Sequence, residues 1–322
     1  MQIDADLIKE TIEDSSKVFI MAHRNIDLDA FGASLGIYYL CKTLGKDAYL
    51  LIDDNTYYSD IKKCLEGISN HDIGLKISTF SHLEPMIDDK TLLFVLDTHL
   101  INLVQNIKAL DIKNIIVIDH HQKKDQDNIN NIYEYINTEY SSTIEIVIEL
   151  LQTLNIYIHP FIATIMLSGL YIDTNGYLYK TRKETHLSAA YLYESEASSL
   201  ELRTILKEDF NKYKKRQEVI LKAEKINNIL IACGDENIIY KPYELAKISD
   251  TMIAFNEVRA SFTIGKIKDN QIGISARSIG DINVGEIMKE LNGGGHALEA
   301  ATQIEGDNIK EVKNKLLNIL NS

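Results

Sequence analysis

Six side chains of two chemical kinds stand at the ends of apolar runs. His23, Asp27 and Asp29 follow Val18-Phe19-Ile20-Met21 in the spacing HxxxDxD. Asp97 follows a run over 92–96, His120 stands in the Asp119-His120-His121 triplet that closes a run over 115–118, and Asp173 follows a long apolar stretch that ends at Ile172. Imidazole and carboxylate ligands together suit Mn²⁺, Fe²⁺ or Zn²⁺. Six ligands exceed what one ion takes from protein. They suit a pair of ions sharing one carboxylate, ~3.5–4 Å apart, that clamps a phosphoryl group and generates hydroxide. Cys41, Cys64 and Cys233 are scattered and form no CxxC, which argues against a structural zinc site and against a disulfide framework.

Taken singly these residues are weak signals. A lone His23 or His99 is more often an ordinary satisfied polar residue, and Asp27 alone reads as a helix N-cap. Asp53-Asp54 reads as a solvated turn and stays outside the site. The ordered set carries the argument, because each member falls where an open α/β sheet places its chemistry.

The elements that must position them follow from periodicity. The runs at 18–21, 48–52, 92–96 and 115–118 read as buried strands, with helical spacing over 4–13 and 31–44. This alternation predicts an α/β fold with a parallel sheet covered by helices on both faces. His23, Asp27 and Asp29 then fall on a strand-to-helix loop, and Gly32, Ser34 and Gly36 let the next helix pack closely on the sheet. Residues 122–137 are polar and read as a surface loop. Ser141-Ser142-Thr143 caps a helix over 144–154, with Glu145 at capping-box spacing from Ser142. Helices follow near 159–172 and 187–193.

A charged helical stretch links two halves, which divides the chain into a catalytic domain over 1–195, a helical linker over 196–228 and a smaller mixed α/β domain over 229–322. In the last, 238–240, 260–264 and 271–277 read as strands, with Lys268-Asp269-Asn270 as a hairpin turn. Ser275 and Arg277 lie at the end of a strand, and Gly293-Gly294-Gly295-His296 is expected to open a helix. Arginine forks, glycine backbone and helix-start N–H groups all bind phosphate, so this half is expected to hold an anion.

Composition narrows the partner. Lys and Arg number 34 against 47 Asp and Glu, a net charge of −13. A surface that coats long nucleic acid is basic, so that class is excluded, whereas a small phosphate ligand neutralised by metal ions is not. No apolar run approaches the ~18–20 residues of a membrane span, and the N-terminus is acidic and polar, which fits the cytosol.

The motifs resemble the DHH phosphoesterase superfamily. His23-Arg24-Asn25-Ile26-Asp27-Leu28-Asp29, Asp97-Thr98-His99, Asp119-His120-His121, Ser141-Ser142-Thr143-Ile144-Glu145 and Asp173-Thr174 look like its catalytic domain. Ser275-Ala276-Arg277-Ser278 and Gly293-Gly294-Gly295-His296 look like its DHH-associated domain. The run from Val258 to Gln303 is the most specific part and is similar to the C-terminal catalytic module of GdpP-type cyclic di-AMP phosphodiesterases. This resemblance implies two Mn²⁺ ions, one held by His23, Asp27 and Asp97, the other by Asp29, Asp97, His120 and Asp173, with Asp97 bridging. It implies that Asp119 orients an imidazole, that His121 faces the substrate phosphate, and that Ser275, Arg277, the three glycines and His296 hold substrate in a cleft between the domains. Cyclic di-AMP would be opened to 5′-pApA by metal-activated hydroxide, with AMP as a further product. It also allows a homodimer, and either a free-standing cytoplasmic enzyme or the cytosolic part of a membrane-anchored parent. Two departures stand out: Ile26 replaces a usual Pro, and Thr181-Arg182-Lys183-Glu184-Thr185-His186 replaces a Thr-Gly-Ser-Arg-Thr-Phe-like run. The alternatives are a nanoRNase or pAp phosphatase acting on short linear oligonucleotides, and a nucleotide sensor without catalysis. The sensor reading expects a missing ligand.

Overall fold

The computed structural model describes residues 2–53, 59–123 and 127–320. Asp54 and residues 124–126 of the expected surface loop lie outside the described residues. The chain forms two compact units, Met1–Lys207 and Glu208–Ser322.

The first unit is built on a six-stranded, wholly parallel sheet. Its strands are β1 (Lys17–Ala22), β2 (Ala48–Leu51), β3 (Ile77–Ser78), β4 (Thr91–Leu96), β5 (Asn114–Asp119) and β6 (Tyr133–Ile136). They lie in the order β3-β2-β1-β4-β5-β6. The chain therefore steps outward from β1 in one direction, then returns to β4 and steps out in the other. The crevice where that direction reverses, beyond the carboxyl ends of β1 and β4, is where such sheets bind ligands. Register brings the chemistry there: Ala22 pairs with Leu96 and Leu96 with Ile118. The residues that follow, His23, Asp97 and Asp119, emerge side by side. β6 corrects the sequence reading of 122–137 as a loop throughout. Its sequence, Tyr133-Glu134-Tyr135-Ile136, is too short and polar to signal a strand, and pairing with β5 makes it one.

The strand residues split by alternation. Val18, Ile20, Phe94, Ile116 and Ile118 face the larger core, under α1 (Ala5–Asp14), α2 (Leu28–Thr43), α3 (Ser59–Asn70), α5 (Thr143–Thr153) and α6 (Pro160–Asp173). Phe19, Met21, Leu93, Val95 and Val117 face a smaller core under α4 (Phe80–Leu83) and single turns of 3₁₀ helix. α2 is buried along nearly its whole length. Its glycines correct the expected role. A Cβ on Gly32 would lie 2.6 Å from Ile144 and one on Gly36 would lie 2.6 Å from Val147, so these glycines admit α5 and α6 and not the sheet. α7 (Lys183–Glu194) and α8 (Ser199–Ile205) complete the unit.

The second unit comprises α9 (Phe210–Ile220), β7 (Glu224–Ile226), β8 (Ile229–Cys233), α10 (Pro242–Ile253), β9 (Ala260–Lys268), β10 (Gln271–Ser278), α11 (Val284–Glu290), β11 (Gly294–Gly295), β12 (Glu299–Glu305) and α12 (Ile309–Leu320). Its sheet runs β11-β12-β10-β9-β8-β7, antiparallel except between β8 and β9. α11 and α12 share one core with it, α9 and α10 another. The stretch expected as a linker over 196–228 is divided, with α8 in the first unit and α9 in the second. Residues 238–240 are not a strand but part of the loop into α10. The glycine run does not open a helix: it follows α11 and pairs antiparallel with β12.

Gly169 of α6 tests the packing. A Cβ there would lie 2.5 Å from the Leu28 carbonyl oxygen and 2.4 Å from Ile144 Cδ1. A backbone carbonyl cannot swing aside as a side chain can. Gly169→Ala is expected to destabilise the unit by about 1–3 kcal/mol despite alanine's higher helix propensity, read as a lower urea midpoint with an unchanged m-value.

Candidate metal centre

Each expected ligand is placed by a specific local device. His23 leaves β1, and its Nδ1 lies 2.5 Å from the Arg24 carbonyl oxygen, which turns Nε2 inward. Asn25 takes φ +55°, a left-handed conformation that asparagine tolerates, and so folds the loop back. Asp27 is the N-cap of α2, with Oδ1 accepting from the Ala30 N–H at 3.0 Å, while its other oxygen faces His23. Asp29 lies inside the first turn of α2 and not on the loop expected from sequence. It is buried and accepts N–H bonds from Thr143 (2.8 Å) and Ile144 (2.9 Å), the first turn of α5. Asp97 follows β4 with φ +60°, strained for a non-glycine residue. Its N–H still donates to the Ile118 carbonyl at 2.9 Å, and Thr143 Oγ1 donates to its Oδ1 at 2.8 Å. Asp173 is the last residue of α6.

All six converge. Donor atoms of His23, Asp27 and Asp97 lie within 4.8 Å of one another, as do those of Asp29, His120 and Asp173, and those of Asp97, His120 and His121. His23 Nε2 is 3.5 Å from Asp27 and 3.3 Å from Asp97. His120 Nε2 is 3.5 Å from Asp97, 3.7 Å from Asp173 and 3.8 Å from Asp29. Asp97 thus belongs to two of these three groups, with Oδ2 toward His23 and Oδ1 toward His120, and His120 joins the second of them to Asp29 and Asp173.

The electrostatics show what the cluster lacks. Burial, then the charges of Asp97, Asp173 and Asp27, push Asp29 well above the usual carboxylate range. Burial, Asp27 and Asp97 do the same to Asp173. Desolvation works to raise Asp27 too, but His23 holds it low. His23 is drawn down by burial, yet Asp27 and Asp97 lift it to about 11. Burial holds His120 below its ordinary value, so its imidazole is neutral, and its buried Nδ1 has no hydrogen-bond partner among the described residues. Four carboxylates and a neutral imidazole aimed at one space fit divalent cations, which would compensate like charges that cannot otherwise ionise together. Only oxygen and imidazole nitrogen are offered, the donor set of Mn²⁺ and similar ions.

Asp119 stands behind the cluster. Its fully buried carboxylate joins two rings, with His99 Nδ1 at 2.5 Å from one oxygen and His121 Nδ1 at 2.8 Å from the other. These bonds outweigh burial and hold Asp119 well below the usual carboxylate range. Burial pulls His121 down, but Asp119 and Asp97 raise it to about 9, so this solvent-reaching ring is cationic at neutral pH. Sequence reasoning gave His99 no role, although it stands in the Asp97-Thr98-His99 motif. It also missed Thr143 as a prop for two carboxylates. Glu145 goes beyond its expected capping role: it is buried and joins Ser141, Thr185 and Arg182, tying α5 to the start of α7.

In the second unit Ser275, Arg277, Gly294 and Gly295 line one open hollow of about 440 Å³. Gly293 and His296 do not line it. Gly293 instead lets the turn press on β12, where a Cβ would lie 2.4 Å from the Ala301 carbonyl oxygen, and His296 is exposed. With no helix start here, the anion reading loses its helix N–H groups and keeps Arg277. Arg277 Nε donates to Asp250 Oδ1 at 2.5 Å and Nη1 to the Ala276 carbonyl at 3.0 Å. Asp250, which nothing in the sequence marked, fixes the plane of the guanidinium.

This architecture, a parallel sheet with clustered carboxylates and imidazoles at its switch point and a mixed second unit, defines a class. Residues 17–170 match the DHH family N-terminal domain and residues 227–322 the DHHA1 domain. The chain belongs to the DHH family. It is 34% identical over 314 residues to the cyclic-di-AMP phosphodiesterase GdpP of Geobacillus thermodenitrificans, covering 96% of this chain and 48% of that one. It is 26% identical over 302 residues to the bifunctional oligoribonuclease and PAP phosphatase NrnA of Mycoplasma genitalium, covering 88% and 87%. The fold matches the crystal structure of an exopolyphosphatase-related protein from Bacteroides fragilis with TM-score 0.80 at 19% identity, over 98% of this chain and 95% of that one. The chain spans about half the length of the GdpP-type relatives it matches. Among the described residues no helix is long and apolar enough to cross a membrane.

Asp173 tests the electrostatic account. A carboxyl raised above its unfolded value near 3.8 loses stability as pH climbs past that value, so at pH 7 it opposes folding of the metal-free protein. Asp173→Asn is expected to stabilise the chelator-treated protein at pH 7 while shrinking the rise in melting temperature on adding Mn²⁺. Thermal melts with and without Mn²⁺ decide it; a less stable metal-free variant would contradict the account.

Proposed function

We propose that this chain is the catalytic part of a manganese-dependent phosphodiesterase that hydrolyses cyclic di-AMP to 5′-pApA. The observation that carries this reading is the sharing of Asp97 between two ligand clusters at the sheet's switch point. His23, Asp27 and Asp97 would hold one ion, and Asp29, Asp97, His120 and Asp173 the other. Such a pair supplies Lewis acidity and a water-derived nucleophile at neutral pH.

The chain's own residues do the rest. Asp29 and Asp97 are preset by the first turn of α5, so the ligand shell needs little reorganisation. His121, cationic and oriented by Asp119 with His99 behind it, would hold a non-bridging oxygen of the reacting phosphate as charge develops there. Arg277, aligned by Asp250, would take a second phosphate in a planar fork. Water adds across one 3′–5′ linkage; the bond from phosphorus to the 3′ oxygen breaks and the phosphate stays on the 5′ carbon. The identity to a cyclic di-AMP phosphodiesterase favours the cyclic substrate over the linear ones that the more distant oligoribonuclease relative acts on.

Turnover of cyclic di-AMP, pApA and pAp, each with Mn²⁺ and with chelator, tests this. Cyclic di-AMP is expected to be cleaved to pApA only with metal; hydrolysis of pApA or pAp with cyclic di-AMP untouched would transfer the reading to a nanoRNase or pAp phosphatase. Asp97→Ala should lower kcat by roughly a thousandfold or more, because both ions lose a ligand. Asp250→Asn should act on binding instead, raising KM by about tenfold with kcat within about twofold, because it removes one charge-assisted bond that orients Arg277. A fall in kcat with unchanged KM would place Arg277 elsewhere in the reaction.

A further inference from the structure

A second hollow lies within the Glu208–Ser322 unit, on the other side of α10 from the one that contains Arg277. Its volume is about 380 Å³, within the range of small-ligand pockets. Its walls are Val219 of α9, Ile248 of α10 and the rings of Tyr240 and Tyr243. Its rim carries Lys212, Lys215, Lys222 and Lys247, in a chain whose net charge is −13.

The charges at this rim are unequally engaged. Among the carboxylates, Glu208 is held by both terminal nitrogens of Arg216, Glu244 caps α10 by accepting the Lys241 N–H at 2.8 Å, and Asp235 accepts the Asn237 N–H at 2.8 Å. Glu218 alone of these four is left without such a bond among the described residues. Among the described residues none of the four lysines makes a direct ion pair, although Lys247 and Lys212 help Arg216 to hold Glu208 low. Lys247 instead lies 5.9 Å from the centre of the Tyr243 ring. With Glu208 neutralised by Arg216, four lysines face the three carboxylates that remain, and this positive balance beside two tyrosine walls favours a ligand with a flat ring at one end and negative charge at the other.

α10 is common to both hollows. Tyr243 lines each of them. One turn or two further on, Ser249 Oγ donates to the Ser275 carbonyl at 3.0 Å and Asp250 holds Arg277. An occupant of the lysine-rimmed hollow would therefore press on the helix that orients the phosphate-binding arginine.

The geometry points to a second ligand site here, for a nucleoside diphosphate, acting on Arg277 through α10. It goes beyond the proposed phosphodiesterase activity, and its binding arm does not depend on it. Calorimetric titration of the full chain with ADP, free of divalent metal, is expected to show binding that weakens at least tenfold in the double variant Lys222→Glu/Lys247→Glu and is unchanged in Arg277→Ala. Inorganic pyrophosphate is expected to bind at least tenfold more weakly than ADP, since it offers the tyrosines no ring. ADP binding that survives the double exchange, that disappears in Arg277→Ala, or that pyrophosphate equals would overturn the site or its ligand class. In the Mn²⁺-loaded enzyme, ADP is expected to shift the KM for cyclic di-AMP at least threefold in the wild type and not in the double variant. Lysine-dependent binding with an unmoved KM would overturn the link through α10. Absence of any cyclic di-AMP turnover would count against the catalytic reading and leave the calorimetric result standing.

Discussion

Four carboxylates, Asp27, Asp29, Asp97 and Asp173, are held close together at the end of a low-dielectric sheet, and that repulsion is the constraint to which the rest of the first unit answers. Left to themselves, such groups neutralise by taking up protons, which is the direction in which Asp29 and Asp173 are driven. The protein opposes this with fixed dipoles and imidazoles. The first turn of α5 gives two N–H bonds to Asp29 and a hydroxyl to Asp97. Those bonds orient the carboxylates but do not balance their charge, and divalent cations are the natural remaining counter-charge.

Holding α5 in that place needs close packing far from the chemistry. α2 runs buried between the sheet and α5 and α6, and Gly32, Gly36 and Gly169 remove the side chains that would push these helices apart. Because Asp29 is on α2 and its N–H donors are on α5, a shift between the two helices is felt at once as lost hydrogen bonds to a buried charge. Asp97 carries a second strain, its left-handed backbone, which persists because β4 and β5 fix it on one side and Thr143 on the other. Behind them, Asp119 sorts the two histidines that follow it. Its hydrogen bond to His121 charges that ring, while His120, with no such bond, stays neutral and turns Nε2 toward the carboxylates.

The second unit uses a different principle. Its arginine is oriented by a carboxylate on a neighbouring helix, and its glycine turn serves the pairing of β11 with β12 and not a helix start. α10 turns one face toward Arg277 and Ser275 and another toward a lysine-rimmed hollow.

The sequence by itself determined the central strands and the His and Asp residues at their ends. Apolar runs that end in His or Asp can be read without coordinates, since a run buried on both faces has no other reason to end in charge, and β1, β4 and β5 follow from that pattern. It also determined the division into a parallel unit and a mixed one, through the change from continuous to alternating apolar runs. Only the tertiary structure decided which strands are neighbours, and so that His23, Asp97 and Asp119 emerge side by side. The same holds for β6, a polar segment made a strand by its partner; for the glycine run, whose φ values and β12 contacts lie outside local pattern; and for His99, Thr143 and Asp250. His99 and Thr143 stand in motifs that gave them no role at the site, and Asp250 in none. The role of each comes from a hydrogen bond to a residue 20, 46 or 27 positions away, and a bond across such a separation exists only once the fold has brought its two ends together.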